Sequence, residues 1–191
     1  MPTGTLKRIY LAGPEVFLPD AKAIGRAKVE AAAAAGFVGL FPLDGSPDLS
    51  GLGKQSQARR IGLGCEAMMR GADLIIANLT PFRGVSMDAG TAYEVGFMRA
   101  LGRPVLGYSN AAGDYKSRAQ AFRVRGIPPG DSDATDIEIE DFGLAENLMI
   151  AAAVLEWGGE VVARAVPPGQ EMRNLDAFRV CLEQARRLFG A

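Results

Sequence analysis

The sequence contains no histidine. That excludes a Ser-His-Asp triad, a Cys-His pair and a histidine-ligated zinc centre. Only two cysteines occur, Cys65 and Cys181, far apart and in no metal-binding spacing, so they read as small buried residues and no metal site is expected. Proton transfer and nucleophilic attack are left to Asp, Glu, Tyr, Lys, Ser, Thr or a thiolate. Charge of one sign is also lacking. The formal net charge of −1 offers no basic excess for phosphate contacts, so nucleic acid is not an expected partner. No apolar run approaches a membrane span, so no membrane association is expected. The segment Met1 to Arg8 lacks the regions of a secretory signal, and a cytoplasmic location is the expectation.

What is present is enough for one core: 191 residues, of which 48% are hydrophobic, suit a single domain over 1–191. Short apolar runs alternate with longer helical stretches. Strands are expected at Arg8 to Ala12, Phe37 to Phe41, Asp73 to Leu79 and Pro104 to Tyr108. Helices are expected from Asp20 to Ala35, with Gly36 beyond the end, and at Gln55 to Arg70 and Thr91 to Leu101. This βαβαβαβ order implies a doubly wound parallel sheet of about five strands in an α/β/α sandwich. Ser109 to Asp136, rich in Gly, Pro and charge, reads as a long loop. Asn147 to Trp157 and Asn174 to Phe189 read as helices, with a fifth strand near Ile137 to Ile139 or Glu160 to Val162.

In such a sheet, ligands bind beyond the carboxyl ends of the strands. The loops there are Gly13 to Asp20, with Gly13 and Phe17 as candidate substrate contacts, Pro42 to Lys54, Thr80 to Gly90 and the segment after Tyr108. In the third, Glu94 falls in the expected first helical turn, where the helix dipole favours its ionised form by about 1 kcal/mol. Gly90, four residues earlier, removes side-chain bulk from the same side, and Asp88 lies just outside the helix. Two carboxylates supply the parts for glycosidic chemistry, one to attack the sugar carbon and one to protonate the leaving group. A plainer reading stands beside this one. Thr91-Ala92-Tyr93-Glu94 fits a capping box, Asp88 fits an ordinary turn, and Tyr10 fits a half-buried strand. Spacing alone favours the plainer reading.

Several blocks shift that balance: Tyr10-Leu11-Ala12-Gly13-Pro14, Pro42-Leu43-Asp44, Ala72 to Gly84, Asp88-Ala89-Gly90-Thr91-Ala92-Tyr93-Glu94-Val95-Gly96 and Glu146-Asn147-Leu148-Met149. Together they resemble the nucleoside 2-deoxyribosyltransferase family. The resemblance implies a flavodoxin-like sheet and transfer of 2-deoxyribose between nucleobases, with 2′-deoxynucleosides and free bases as small-molecule partners and no cofactor. It also implies roles. Glu94 matches the nucleophile that forms a covalent deoxyribosyl-enzyme, Asp88 an acid that contacts the base, and Tyr10 a tyrosine whose hydroxyl holds the nucleophile. Asn147 and Met149 match residues that enter a neighbouring subunit's pocket, which implies a homo-oligomer. Cys65 and Ser46 depart from the pattern, standing where relatives carry an acid or amide and a longer polar side chain. Rival readings on the same fold are a hydrolase of deoxynucleosides or their 5′-monophosphates, a phosphoribohydrolase and a non-catalytic nucleotide sensor.

Overall fold

The computed structural model describes residues 5–45, 47–126 and 138–190, the side chains of 124–126 excepted. Five strands form one parallel sheet: β1 (Arg8–Ala12), β2 (Val38–Leu40), β3 (Leu74–Asn78), β4 (Val105–Ser109) and β5 (Val162–Ala163), in the order β2-β1-β3-β4-β5. This is the flavodoxin-like order. The chain moves outward from β1 to β2 and then crosses back to β3, so the loops after β1 and β3 part at a switch point. The fifth strand falls at the later of its two expected places. Of the earlier place, 138–139 form no strand and Ile137 lies outside the described residues, as does Ser46.

Among the described residues six α-helices accompany the sheet: α1 (Ala21–Ala34), α2 (Lys54–Arg70), α3 (Ala89–Ala100), α4 (Tyr115–Gly126), α5 (Leu148–Leu155) and α6 (Asp176–Phe189). The strands are apolar because both sheet faces are covered, and all five residues of β3 are buried. One face packs Ile9, Leu11, Leu74 and Ile76 with Phe178 and Leu182 of α6. The other packs Tyr10, Ile75 and Ala77 with Val95 and Met98 of α3 and Val154 of α5. The expected acid at the start of β3 is an anchor: Asp73 accepts from the Arg8 backbone N–H at 2.8 Å and from Lys7 Nζ at 3.0 Å, tying β3 to β1. Gly36 takes the positive φ of 88° that ends α1.

Two expectations fail. Ser109 to Asp136 is not all loop, because α4 occupies 115–126. Its first turn is closed by Asp114, whose carboxylate accepts from the Ser117 N–H at 2.7 Å. The helix shows almost no amphipathic period, and its polar, basic sequence hid it. The second failure is the start of α3. Its N-cap is Asp88, not Thr91. Asp88 is extended (ψ 137°), and its Oδ2 accepts from the Thr91 N–H at 3.1 Å. A carboxylate three residues upstream accepts from the Thr91 N–H, the amide that the Glu94 side chain takes in a capping box. Glu94 therefore sits in the second turn, and no capping box forms.

Candidate active site

Tyr10 lies in the middle of β1, paired with Ile75 of β3, and its ring is fully buried. Its hydroxyl passes under α3 and donates a 2.5 Å hydrogen bond to Oε1 of Glu94. The two residues are 84 apart in sequence and meet at the switch point. Burial raises the Tyr10 pKa well above the usual tyrosine range, and the neighbouring Glu94 charge adds to it, so this hydroxyl keeps its proton.

The expectation that Glu94 is ionised by a helix N-terminus is corrected. From the second turn it is beyond the free N–H groups, and burial pushes its pKa up to about 7. The Tyr10 hydrogen bond works against that rise, the Asp88 charge adds to it, Lys28 opposes it and Glu15 reinforces it. The carboxyl is therefore divided between its two forms near neutrality, the range in which a group can exchange protons and still attack.

Asp88 is near enough to act on Glu94 electrostatically while one of its oxygens caps α3. Gly90 serves that arrangement, since a Cβ at Gly90 would stand 2.9 Å from Asp88 Oδ2. Gly13 likewise leaves room for a carboxylate, because a Cβ there would meet Glu15 Oε2 at 2.0 Å. Phe17 ends the 3-10 turn Pro14–Phe17 and is 53% exposed. Its ring stacks on Phe82 with centroids 5.5 Å apart, so aromatic side chains from the loops after β1 and β3 meet across the switch point. The Arg83 guanidinium covers both rings at 5.0 and 4.6 Å, and Arg83 holds a φ of 57°, a left-handed conformation that is costly outside glycine.

Asn147 and Met149 open α5. Asn147 is the N-cap, its Oδ1 accepting from the Met149 N–H at 3.0 Å, and its Nδ2 donates to Glu140 at 3.0 Å. Met149 is 67% exposed. Buried Glu146 links this end to the loop after β3. It accepts from Ser86 Oγ at 2.7 Å and from the Asn147 N–H at 2.9 Å, and pairs with Arg118 at 3.4 Å. Arg118 also donates to the Val85 carbonyl at 3.0 Å.

Tyr10, Glu94 and Asp88 are thus gathered at one place, with Gly13 and Phe17 on the adjoining turn. Other residues join them. Cys65 of α2 reaches the Tyr10 hydroxyl and lines a cleft of about 310 Å³ with Pro42, Leu43, Leu49, Ile61 and Met68. Burial raises its pKa, so it stays a neutral thiol. Phe82 and Arg83 fall in the Ala72 to Gly84 block of the resemblance, which gives neither an individual role. Lys28 did leave a signal, since it falls in the buried stripe Ala21, Ile24, Gly25, Lys28, Ala32 of α1. Among the described residues no cluster of metal-ligating side chains occurs, and no helix is long and apolar enough to cross a membrane.

Comparison with known proteins agrees with this fold. A 2-desoxiribosyltransferase from Leishmania mexicana superposes with a TM-score of 0.63 at 29% identity, covering 93% of this chain and 97% of that one. A conserved protein from Enterococcus faecalis V583 shares the fold with a TM-score of 0.57 at 19% identity, covering 95% and 99%. An uncharacterized protein of Schizosaccharomyces pombe is 29% identical over 80% of this chain and 79% of its own length. Residues 9–149 match the profile of the nucleoside 2-deoxyribosyltransferases, a span that runs from β1 through Tyr10, Asp88 and Glu94 to the first turn of α5. The chain belongs to the nucleoside 2-deoxyribosyltransferase family.

Proposed function

We propose that the protein moves 2-deoxyribose from one nucleobase to another, with Glu94 as the nucleophile. The observation that carries this reading is the 2.5 Å hydrogen bond from a buried tyrosine hydroxyl to one oxygen of Glu94 at the switch point. Tyr10 occupies Oε1 and fixes the carboxylate plane, which leaves Oε2 for attack. As the Oε2–C1′ bond forms, the C1′–N bond breaks and its electron pair goes to the departing base. Asp88, beside Glu94, relays a proton from solvent to that base as it leaves, and is ionised again afterwards. The transition state carries oxocarbenium character, and the ionised Glu94 stabilises it. A second base, its ring N–H proton passing through Asp88 to solvent, then attacks C1′ from the face the first one left, the ester to Glu94 breaks, and configuration is retained overall. The apolar cleft beside Cys65 and the Phe17–Phe82 stack are the surfaces for a flat base, and no cofactor enters any step.

Asn147 and Met149, at the exposed start of α5, complete the pocket of a neighbouring copy in a homo-oligomer. The reaction is tested by incubating deoxyinosine with adenine and following deoxyadenosine by chromatography. Formation by the wild type and loss in Glu94→Ala supports the reading. A Glu94→Ala protein with full activity, or a wild type that forms none, refutes it. Free deoxyribose appearing without acceptor base assigns the chain to hydrolysis instead.

A further inference from the structure

A third carboxylate lies at the switch point, and the reaction above makes no use of it. Glu15, in the 3-10 turn after β1, is 1% exposed. Its Oε1 collects three donors: Lys28 Nζ of α1 at 2.7 Å, Asn78 Nδ2 at the end of β3 at 3.0 Å and the Tyr108 hydroxyl of β4 at 3.0 Å. The ammonium of Lys28, itself fully buried, sits 5.6 and 5.3 Å from the ring centres of Tyr108 and Phe178. Oε2 of Glu15 is enclosed without a partner, against the backbone of Gly13.

A buried ion pair is a poor source of stability, because desolvating two charges offsets their attraction, and an apolar pair of similar volume often does as well. A buried carboxylate oxygen with no donor adds a further cost. The pair also does something an apolar pair does not. It ties the Gly13–Phe17 turn, one wall of the crevice, to the ends of β3 and β4, and it places two opposite charges near Glu94. The groups that act on Glu94 come from every side: Tyr10 from β1, Cys65 from α2, Asp88 from the cap of α3, Lys28 from α1 and Glu15 from the turn. Lys28 in turn faces Cys181 of α6 as well as Tyr108.

We propose that Glu15 is a positioning residue for the sugar-transfer step, holding the Gly13–Phe17 turn in place and, with Lys28, setting the charge balance felt by Glu94. The inference rests on Glu94 being the nucleophile. Its signature is a pair of opposite shifts. Glu15→Gln leaves the Lys28 ammonium unopposed, which favours the Glu94 carboxylate and moves the acid limb of kcat/KM to lower pH. Glu15→Gln with Lys28→Met removes both charges. Lys28 acts on Glu94 more strongly than Glu15 does, so the limb then moves to higher pH.

The experiment measures kcat/KM against pH for the deoxyinosine–adenine reaction in both variants. It also measures the pH dependence of the stability change that Glu94→Gln causes in each background, which reports the same ionisation without turnover. The expected result is limbs displaced in opposite directions and a fall in kcat/KM of at least about tenfold in the paired variant, since small displacements of a site wall are costly. Tyr108→Phe removes one donor, keeps both charges and decides the matter if the charge variants do not fold. It is expected to lower kcat/KM about threefold to tenfold. Charge variants with unmoved or equally displaced ionisation, or a Tyr108→Phe protein with unchanged kcat/KM where it alone folds, overturn the inference. A wild type that turns over no deoxynucleoside refutes the transferase reading instead, and the stability measurement still decides the role of Glu15.

Discussion

The Tyr10 hydroxyl and Glu94 Oε1 stand 2.5 Å apart beneath α3, with the proton on the tyrosine and the carboxyl poised near neutral pH. Since attack requires the ionised form of Glu94, kcat/KM is expected to rise with pH through about 7. The tyrosine bond favours the carboxylate, so Tyr10→Phe is expected to move that limb to higher pH. It should also lower kcat/KM by about 10- to 100-fold, the size of one hydrogen bond to a charged group. A pH–rate profile of both proteins checks this. A wild-type limb near 4.5, the ordinary glutamate value, contradicts it.

The same ionisation should appear in stability. Glu94 has a folded pKa above its unfolded one, about 7 against 4.5. Its protonated form therefore favours the folded state fully below 4.5, and that contribution is lost as pH rises through 7. Glu94→Gln keeps the acceptor for Tyr10 and carries no charge. It is expected to match the wild type near pH 4.5 and to be more stable at pH 8, by an amount on the order of 3 kcal/mol. Denaturant unfolding at the two pH values measures the difference, and equal stabilities at pH 8 refute the burial of this charge.

Asp88 is assigned two tasks, which a pair of substitutions separates. Asp88→Asn retains a good N-cap and is expected to leave stability within about 0.5 kcal/mol of wild type, whereas Asp88→Ala loses the cap and about 1 kcal/mol. Both remove the acid, so both should lose transferase activity by about 100-fold or more. Both also remove a negative charge that raises the Glu94 pKa, so the residual acid limb should move to lower pH. An active Asp88→Asn protein leaves Asp88 as a cap alone.

Asn147 is assigned to a neighbour's pocket, and mixing two inactive variants tests that. Asn147→Ser keeps an oxygen for the α5 cap and shortens the reach. Mixed with Glu94→Ala under conditions that exchange subunits, it is expected to restore activity, because a mixed oligomer contains sites with both native residues. Recovery of up to about a quarter of wild-type activity is the random-mixing expectation for a two-chain site. No recovery in a proven mixed oligomer places Asn147 outside the neighbouring pocket.

Much of the architecture was legible because it is written in short-range patterns. The apolar run Leu74 to Ala77, the Ala-rich stretch closed by Gly36 and the alternation of the two periods imply a parallel sheet before any coordinate is known. The errors came where two local signals competed or none was strong. Thr91 to Glu94 spells a capping box, but Asp88 accepts from the Thr91 N–H, the amide that the Glu94 carboxylate takes in such a box. The helix 115–126 is polar all round, and only Asp114 marks its start.

The sequence by itself determined the order of the first four strands and the three helices between them, and the residue types available for chemistry, because each depends on neighbours within a few positions. Only the tertiary structure decided the state of those residues. The glutamate expected to be ionised at a helix start is instead buried in its second turn over Tyr10, 84 residues away, and desolvation rather than the helix dipole governs its proton. Likewise the partners of Glu15 and Lys28 are assembled only when α1, β3 and β4 close around them. Burial and electrostatic pairing are sums over parts of the chain that meet only on folding, and no window of the sequence contains them.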